Sequence, residues 1–146
     1  MNKHPLLHFL PVVPEEQKRI MLLKVDKEEL SVFVYTIVLV EVLDHYLTFH
    51  TADVSRHNGI AQLKVKGTLC QMKEALGRFF LQPNQSMLIN HTYLQGVGQK
   101  RYVHMHYPEQ LPPIMVSRAY KDSFFADRKL ILDNMQDTNQ NPPPAL

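Results

Sequence analysis

The chain has 146 residues, 45% of them hydrophobic and 21% charged, with a formal net charge of +2 at neutral pH. That length fits one domain with tails, and that apolar share suits an ordinary soluble core. The longest apolar run, residues 37–40, is broken by Glu41, far short of the roughly 20 residues of a membrane-spanning helix. A start interrupted by Pro5, Pro11 and Pro14 reads poorly as a signal peptide, so the chain is expected in the cytoplasm.

In chain order, residues 1–18 read as an arm or tail. From Arg19 the runs RIMLLKV, LSVFVY and TIVLVEV are β-rich and separated by charged turns. HYLTFHT alternates, placing Leu47 and Phe49 on one face and Tyr46, Thr48 and His50 on the other. After the turn ADVSRHNG, IAQLKVKG is another strand. At Thr68 the period changes. Thr68 and Gln71 have capping-box spacing, Leu69, Met72 and Leu76 recur at helical spacing, and Gly77 supplies a left-handed stop. A two-turn helix is expected there.

RFFLQPNQ then reads as a loop around Pro83, followed by strands SMLIN, YLQGV and RYVHMHY, a turn PEQLPP, and a last strand PIMVS. Residues 120–135 read as a helix with Phe124, Phe125, Ile131 and Met135 inward. The polar, proline-terminated residues 136–146 read as a disordered tail. The sum is a mainly β, α+β chain with a folded part at 19–135.

Cys70, the sole cysteine, excludes an internal disulfide and a CxxC motif and reads as a small buried apolar residue. Charge is uneven: residues 1–53 carry a net −3, residues 54–101 a net +6, and residues 102–146 a net −1. A basic middle third suits a polyanionic partner, or else a solvated charged face.

Three segments, in order, resemble the LytTR family of bacterial DNA-binding domains. TIVLVEVLDHYLTFHT (36–51) is similar to that family's strand-loop-strand, with Glu ending one strand and His-Thr the next. RFFLQPNQSMLINHTYLQGV (78–97) is similar to its Phe, polar loop, Ser, apolar triplet and Asn. PIMVSRAYKDSF (113–124) is similar to its strand ending in Ser-Arg-x-Tyr. The resemblance covers roughly residues 19–130. It implies an elongated stack of antiparallel β-sheets with one short side helix and a C-terminal helix. It also implies double-stranded DNA as partner, with loops entering successive major grooves and bending the duplex.

Residue by residue, the resemblance points to His45 in the first loop, which can donate to a base edge or phosphate. In the second loop it points to Asn84, Gln85 and Ser86. There the family often carries basic residues, whereas Gln82, Asn84 and Gln85 are uncharged amides suited to adenine. In the third it points to Ser117, Arg118 and Tyr120, with the Arg118 fork suited to guanine or phosphate. The alternative for Arg118 is an ion pair with Asp122. Lys100 and Arg101 at a hairpin tip, and Lys64, Lys66 and Lys121, read as phosphate contacts. Asn90 reads as structural, closing a turn.

Sequence-specific transcription regulation is the leading expectation, on promoter repeats and as a homodimer on DNA. A second is a protein-interaction regulator that kept the fold and lost DNA affinity through the uncharged loop 82–86. Its partner would then be a regulatory protein. An enzyme is not expected: no HExxH, P-loop or GxSxG occurs, and His104 and His106 alone are too few for a metal site. No cofactor is expected. Relatives are commonly joined to a receiver domain, for which the eighteen residues before the match are too few, so either a stand-alone regulator or a fragment is expected.

Overall fold

The computed structural model describes residues 13–52, 60–106 and 111–140. The order is β1 (Ile20–Val25), β2 (Glu28–Phe33), β3 (Ile37–Leu43), β4 (Tyr46–Ala52), β5 (Ile60–Lys66), α1 (Leu69–Leu76), β6 (Phe80–Asn84), β7 (Met87–Asn90), β8 (Leu94–Val97), β9 (Val103–Met105) and α2 (Lys121–Gln140). The strands form three antiparallel sheets: β1–β2, a five-stranded sheet ordered β5-β4-β3-β7-β6, and β8–β9. This is the mainly β stack with two helices that the resemblance implies.

The middle sheet is apolar on both faces. Leu47, Phe49, Val65, Phe80 and Leu88 pack with Leu23 of β1 and with Leu69 and Leu76 of α1. Leu39, Leu81 and Ile89 pack on the other face with Met105 of β9 and with Phe124 and Ile131 of α2. Ile37 to Val40 are therefore wholly buried without alternation, as a strand covered on both sides requires. A register shift between Ile37 and Leu39 turns the successive residues Val38 and Leu39 to the same cluster, the effect of a bulge. In β4, Thr48 and His50 are buried as fully as Leu47 and Phe49, because the second face is covered too. His50 Nε2 lies 2.9 Å from Glu41 Oε1 across β3 and β4. Such a pair keeps two polar groups in the core in contact with each other.

Helix α1 begins where expected: Thr68 Oγ1 accepts from Gln71 N at 3.2 Å. Its buried stripe is Leu69 and Leu76. Cys70, expected inside, is exposed, because it sits about 100° around the helix from Leu69. Gly77 ends the helix at φ 94°, ψ −175°, a region open to glycine rather than the left-handed helical stop expected. Arg19 Nη2 donates to the carbonyls of Ala75 (2.6 Å) and Leu76 (3.3 Å). Arg19, the residue before β1, thus caps α1, whose terminal carbonyls lack helical partners.

Two segments differ from expectation. Residues 80–84, read as loop because of Pro83, form β6. β6 is an edge strand, where proline's missing N–H costs no ladder bond. Conversely PIMVS, read as a strand, makes only the bridge Met115–Tyr102. Its bonds divide between partners: Val103 N donates to Ile114 O and Val116 N to Arg101 O, but Ser117 N donates to Pro83 O. In α2, Phe124 and Ile131 are buried as expected, but Phe125 is 39% exposed, one step off that stripe. The helix extends five residues past Met135, to Gln140.

Within the stretch that reads as an arm, residues 1–12 lie outside the described residues, while Gln17 is 1% exposed. It ends a short 3-10 turn, Glu15–Gln17. Its Nε2 donates to Asn90 Oδ1 (2.9 Å), and its Oε1 accepts from Asn90 Nδ2 (3.1 Å) and Thr92 Oγ1 (2.9 Å). Asn90 also donates to Ile37 O (2.9 Å) and accepts from Thr92 N (3.0 Å). Its structural role is as expected, and wider than one turn.

Candidate nucleic-acid interface

Antiparallel order dictates what meets at each end of the middle sheet. β3 ends where β4 begins, beside the turn from β6 to β7 and the last residue of β5. Asp44–His45 and Gln85–Ser86 therefore project from one end, and Lys66, across from Tyr46, stands beside them. Asp44 takes φ 58°, a left-handed position that Asp tolerates in tight turns. His45 and Gln85 are exposed and Ser86 is partly buried.

Hydrogen bonds stitch the remaining turns to this end. Val42 N donates to Ser86 O at 2.8 Å, joining the first two turns. Ser117 N donates to Pro83 O at 2.9 Å and Val116 N to Arg101 O at 2.9 Å. The Arg101 side chain returns the tie, its Nε donating to Val116 O at 2.8 Å. The segment carrying Ser117 and Arg118 and the hairpin tip Lys100–Arg101 are thus fixed to the edge of β6. Gly98 N donates to Tyr102 O at 2.8 Å across that tip, and Lys100 and Arg101 both take left-handed φ, 57° and 61°. Two successive non-glycine residues there store backbone strain.

Asn84 has a different place from that expected. Its Nδ2 donates to Met115 O (3.1 Å) and its Oδ1 accepts from Ser86 N (2.9 Å). Both ends of the amide are occupied in holding two turns together. Pro83 is buried and Gln82 partly so, leaving Gln85 as the exposed amide of residues 82–86. Arg118 and Lys121 are exposed, and Tyr120 is partly buried. Ser117 O accepts from Tyr120 N at 3.1 Å, a turn that starts α2. Among the described residues Arg118 has no ion pair, with Asp122 or otherwise.

The basic middle third is split by the fold. Lys66, Lys100 and Arg101 come to this end, and Arg118 and Lys121 join them from outside it. Arg78 is elsewhere, its Nε 3.1 Å from Glu16 Oε1 and its guanidinium 4.7 Å from the Phe79 ring. Lys64 lies on β5 across from Thr48, further from the turns. Arg56 lies outside the described residues. Two exposed apolar side chains here carry no signal in the sequence reading, Tyr102 (47%) and Met115 (42%). Alternation in RYVHMHY puts Tyr102 on the same side as His104, the one hint available.

Among the described residues no three His, Cys, Asp or Glu side chains gather as a metal ion would need. His104 is exposed, and His106 Nδ1 lies 3.2 Å from Gln95 Nε2. His91, at the end of the sheet away from the turns, has its pKa held below the usual 6.5 by burial and secondarily by the Arg128 charge.

A stack of three antiparallel sheets with two helices, presenting polar and cationic turns from one end of the middle sheet, defines a β-rich domain. The chain belongs to the LytTr DNA-binding domain family, whose model matches residues 27–128. No curated protein matches the sequence. A similar solved structure is the LytTr DNA-binding domain of a Bacillus cereus protein described as a methyl-accepting/DNA response regulator. It is 15% identical, covers 75% of this chain and 96% of that chain, and gives a TM-score of 0.59, which establishes a shared fold. No helix among the described residues is long and apolar enough to cross a membrane.

Proposed function

We propose that the chain is a sequence-specific transcription regulator whose turns enter successive major grooves of double-stranded DNA. The observation that carries this reading is the gathering of His45, Gln85, Arg118, Lys100, Arg101 and Lys121 at one end of the middle sheet. From the β3–β4 turn to Ser117, beyond β6, is about three and a half strand spacings, ~17 Å. That exceeds the roughly 12 Å width of one major groove, which supports contacts spread over more than one.

In this reading Arg118 pairs with a guanine edge or phosphate, His45 and Gln85 read base edges, and Ser86, Ser117 and Tyr120 position the turns or reach phosphate oxygens. Lys100, Arg101 and Lys121 neutralise phosphates, which sets affinity and its salt dependence. Asn84 acts at one remove, by fixing the turn. Residues 19–135, with the packed turn that ends at Gln17 and the last turns of α2, form the binding unit, and a pair of copies occupies promoter repeats in the cytoplasm. No catalysis is involved.

The test is in vitro selection of bound DNA at two salt concentrations, followed by titration of Arg118→Ala. That variant should lose about 1–3 kcal/mol of binding and relax one base preference. Absence of binding to any selected sequence at low salt would overturn the proposal. One observation favours a second reading, a protein-binding regulator without DNA affinity: the occupied Asn84 amide leaves residues 82–86 with little to offer DNA. A protein partner retained after nuclease digestion, together with no selected DNA, would favour it.

A further inference from the structure

Resting on the DNA-binding reading above, we infer that Tyr102 and Met115 form an apolar reading pair that recognises thymine through its C5-methyl group. The two residues are direct partners in the isolated antiparallel bridge, so their side chains stand side by side on one face. Both are exposed, 47% and 42%, while the residues flanking Met115, Ile114 and Val116, are 3% and 0% exposed. The pair is therefore the outward half of a locally alternating surface whose inward half is core.

Its surroundings identify the occupant. Tyr102 directly follows Arg101 at the cationic hairpin tip, and Met115 lies two residues before Ser117 and three before Arg118. The Met115 carbonyl is held by Asn84, whose neighbours Gln85 and Ser86 form the second turn. An exposed apolar pair flanked along the chain by Lys100, Arg101 and Arg118 suits a polyanion with apolar points in its grooves, not an apolar protein helix. The thymine methyl is that point in the major groove, and it is the feature that apolar side chains read. The pair is held rigidly: Val103 N donates to Ile114 O and Val116 N to Arg101 O, both at 2.9 Å, on either side of the bridge. Tyr102 follows directly on the two left-handed residues Lys100 and Arg101.

The experiment replaces each thymine of the selected duplex in turn by deoxyuridine, which removes only the methyl group. Affinity is measured by fluorescence anisotropy for the wild-type chain, Tyr102→Ala and Met115→Ala, with circular dichroism confirming that each is folded. At one or two positions the replacement should weaken wild-type binding about fourfold, the worth of one buried methyl. At those positions it should leave the variants unchanged, with a salt dependence equal to wild type. Should every replacement cost the same in wild type and variants while the wild type still binds its site, the pair does not read thymine and the DNA-binding reading stands. Failure of the wild type to bind any duplex removes both.

Discussion

Asn90→Ala should be among the most damaging single substitutions in the chain. Asn90 is fully buried, and its amide makes four hydrogen bonds, to Gln17 twice, to Ile37 O and to Thr92 N. Truncation leaves Gln17 Nε2 and Thr92 N without their acceptor and Ile37 O without this donor, whereas Gln17 Oε1 keeps Thr92 Oγ1. Each buried polar group left unmatched costs about 1–3 kcal/mol. With partial relaxation and water entry, three of them give a loss of about 3–5 kcal/mol, a large part of the roughly 5–15 kcal/mol that holds a domain folded. Gln17→Ala should cost less, about 1–3 kcal/mol, since Asn90 keeps Ile37 and Thr92. Because the two side chains share two bonds, the double variant should be less destabilised than the sum. Urea unfolding followed by circular dichroism measures all three. A loss under about 1 kcal/mol for Asn90→Ala, or strict additivity, would refute a cooperative buried network.

Other substitutions separate holding from reading. Asn84→Ala should lower stability by about 1–2 kcal/mol by freeing Met115 O and Ser86 N, and weaken binding to all DNA sequences alike. Gln85→Ala should leave stability within about 0.5 kcal/mol of wild type but alter base preference; titrations against matched duplexes would expose the reverse assignment. At Gly77 an added Cβ meets nothing within 4 Å, so the cost of Gly77→Ala is backbone strain alone, about 1–3 kcal/mol; an unchanged melting temperature would mean the helix end relaxes freely. His91 binds its proton less readily folded than unfolded, so stability should rise with pH up to about 6.5 and fall as pH drops below it. His91→Gln should flatten that part of the profile, read as the urea midpoint between about pH 5.5 and pH 7.5. An equal slope in the variant would assign the effect to another group.

The strands were legible where composition and alternation agree, and α1 because Thr68, Leu69 and Leu76 combine a cap with an apolar stripe. What the pattern hides is which faces are covered. Alternation separates Thr48 and His50 from Leu47 and Phe49, but it does not tell that both sets are buried. Pro83 argued for a loop because its strand's position at a sheet edge cannot be read locally. Cys70 shows the reverse, an apolar type left outside because it misses the stripe by one position. At the candidate site the exposure of Lys100, Arg118 and Lys121 was legible from the loops they flank. The task of Asn84 was not, since its partners at Met115 and Ser86 exist only once the two turns meet. Tyr102 and Met115 were missed for the same reason: neither segment alone says the two stand together.

The Gln17–Asn90 knot lies where β3 begins and β7 ends, the opposite end of the sheet from His45 and Gln85. β3 runs between the two like a rod of about 20 Å. The chain at residues 13–17 therefore enters the fold at the end of the sheet opposite the turns that carry His45 and Gln85. It also enters with leverage, because the first well-packed contact it can tug on is bonded to Ile37, the foot of the strand whose tip carries His45.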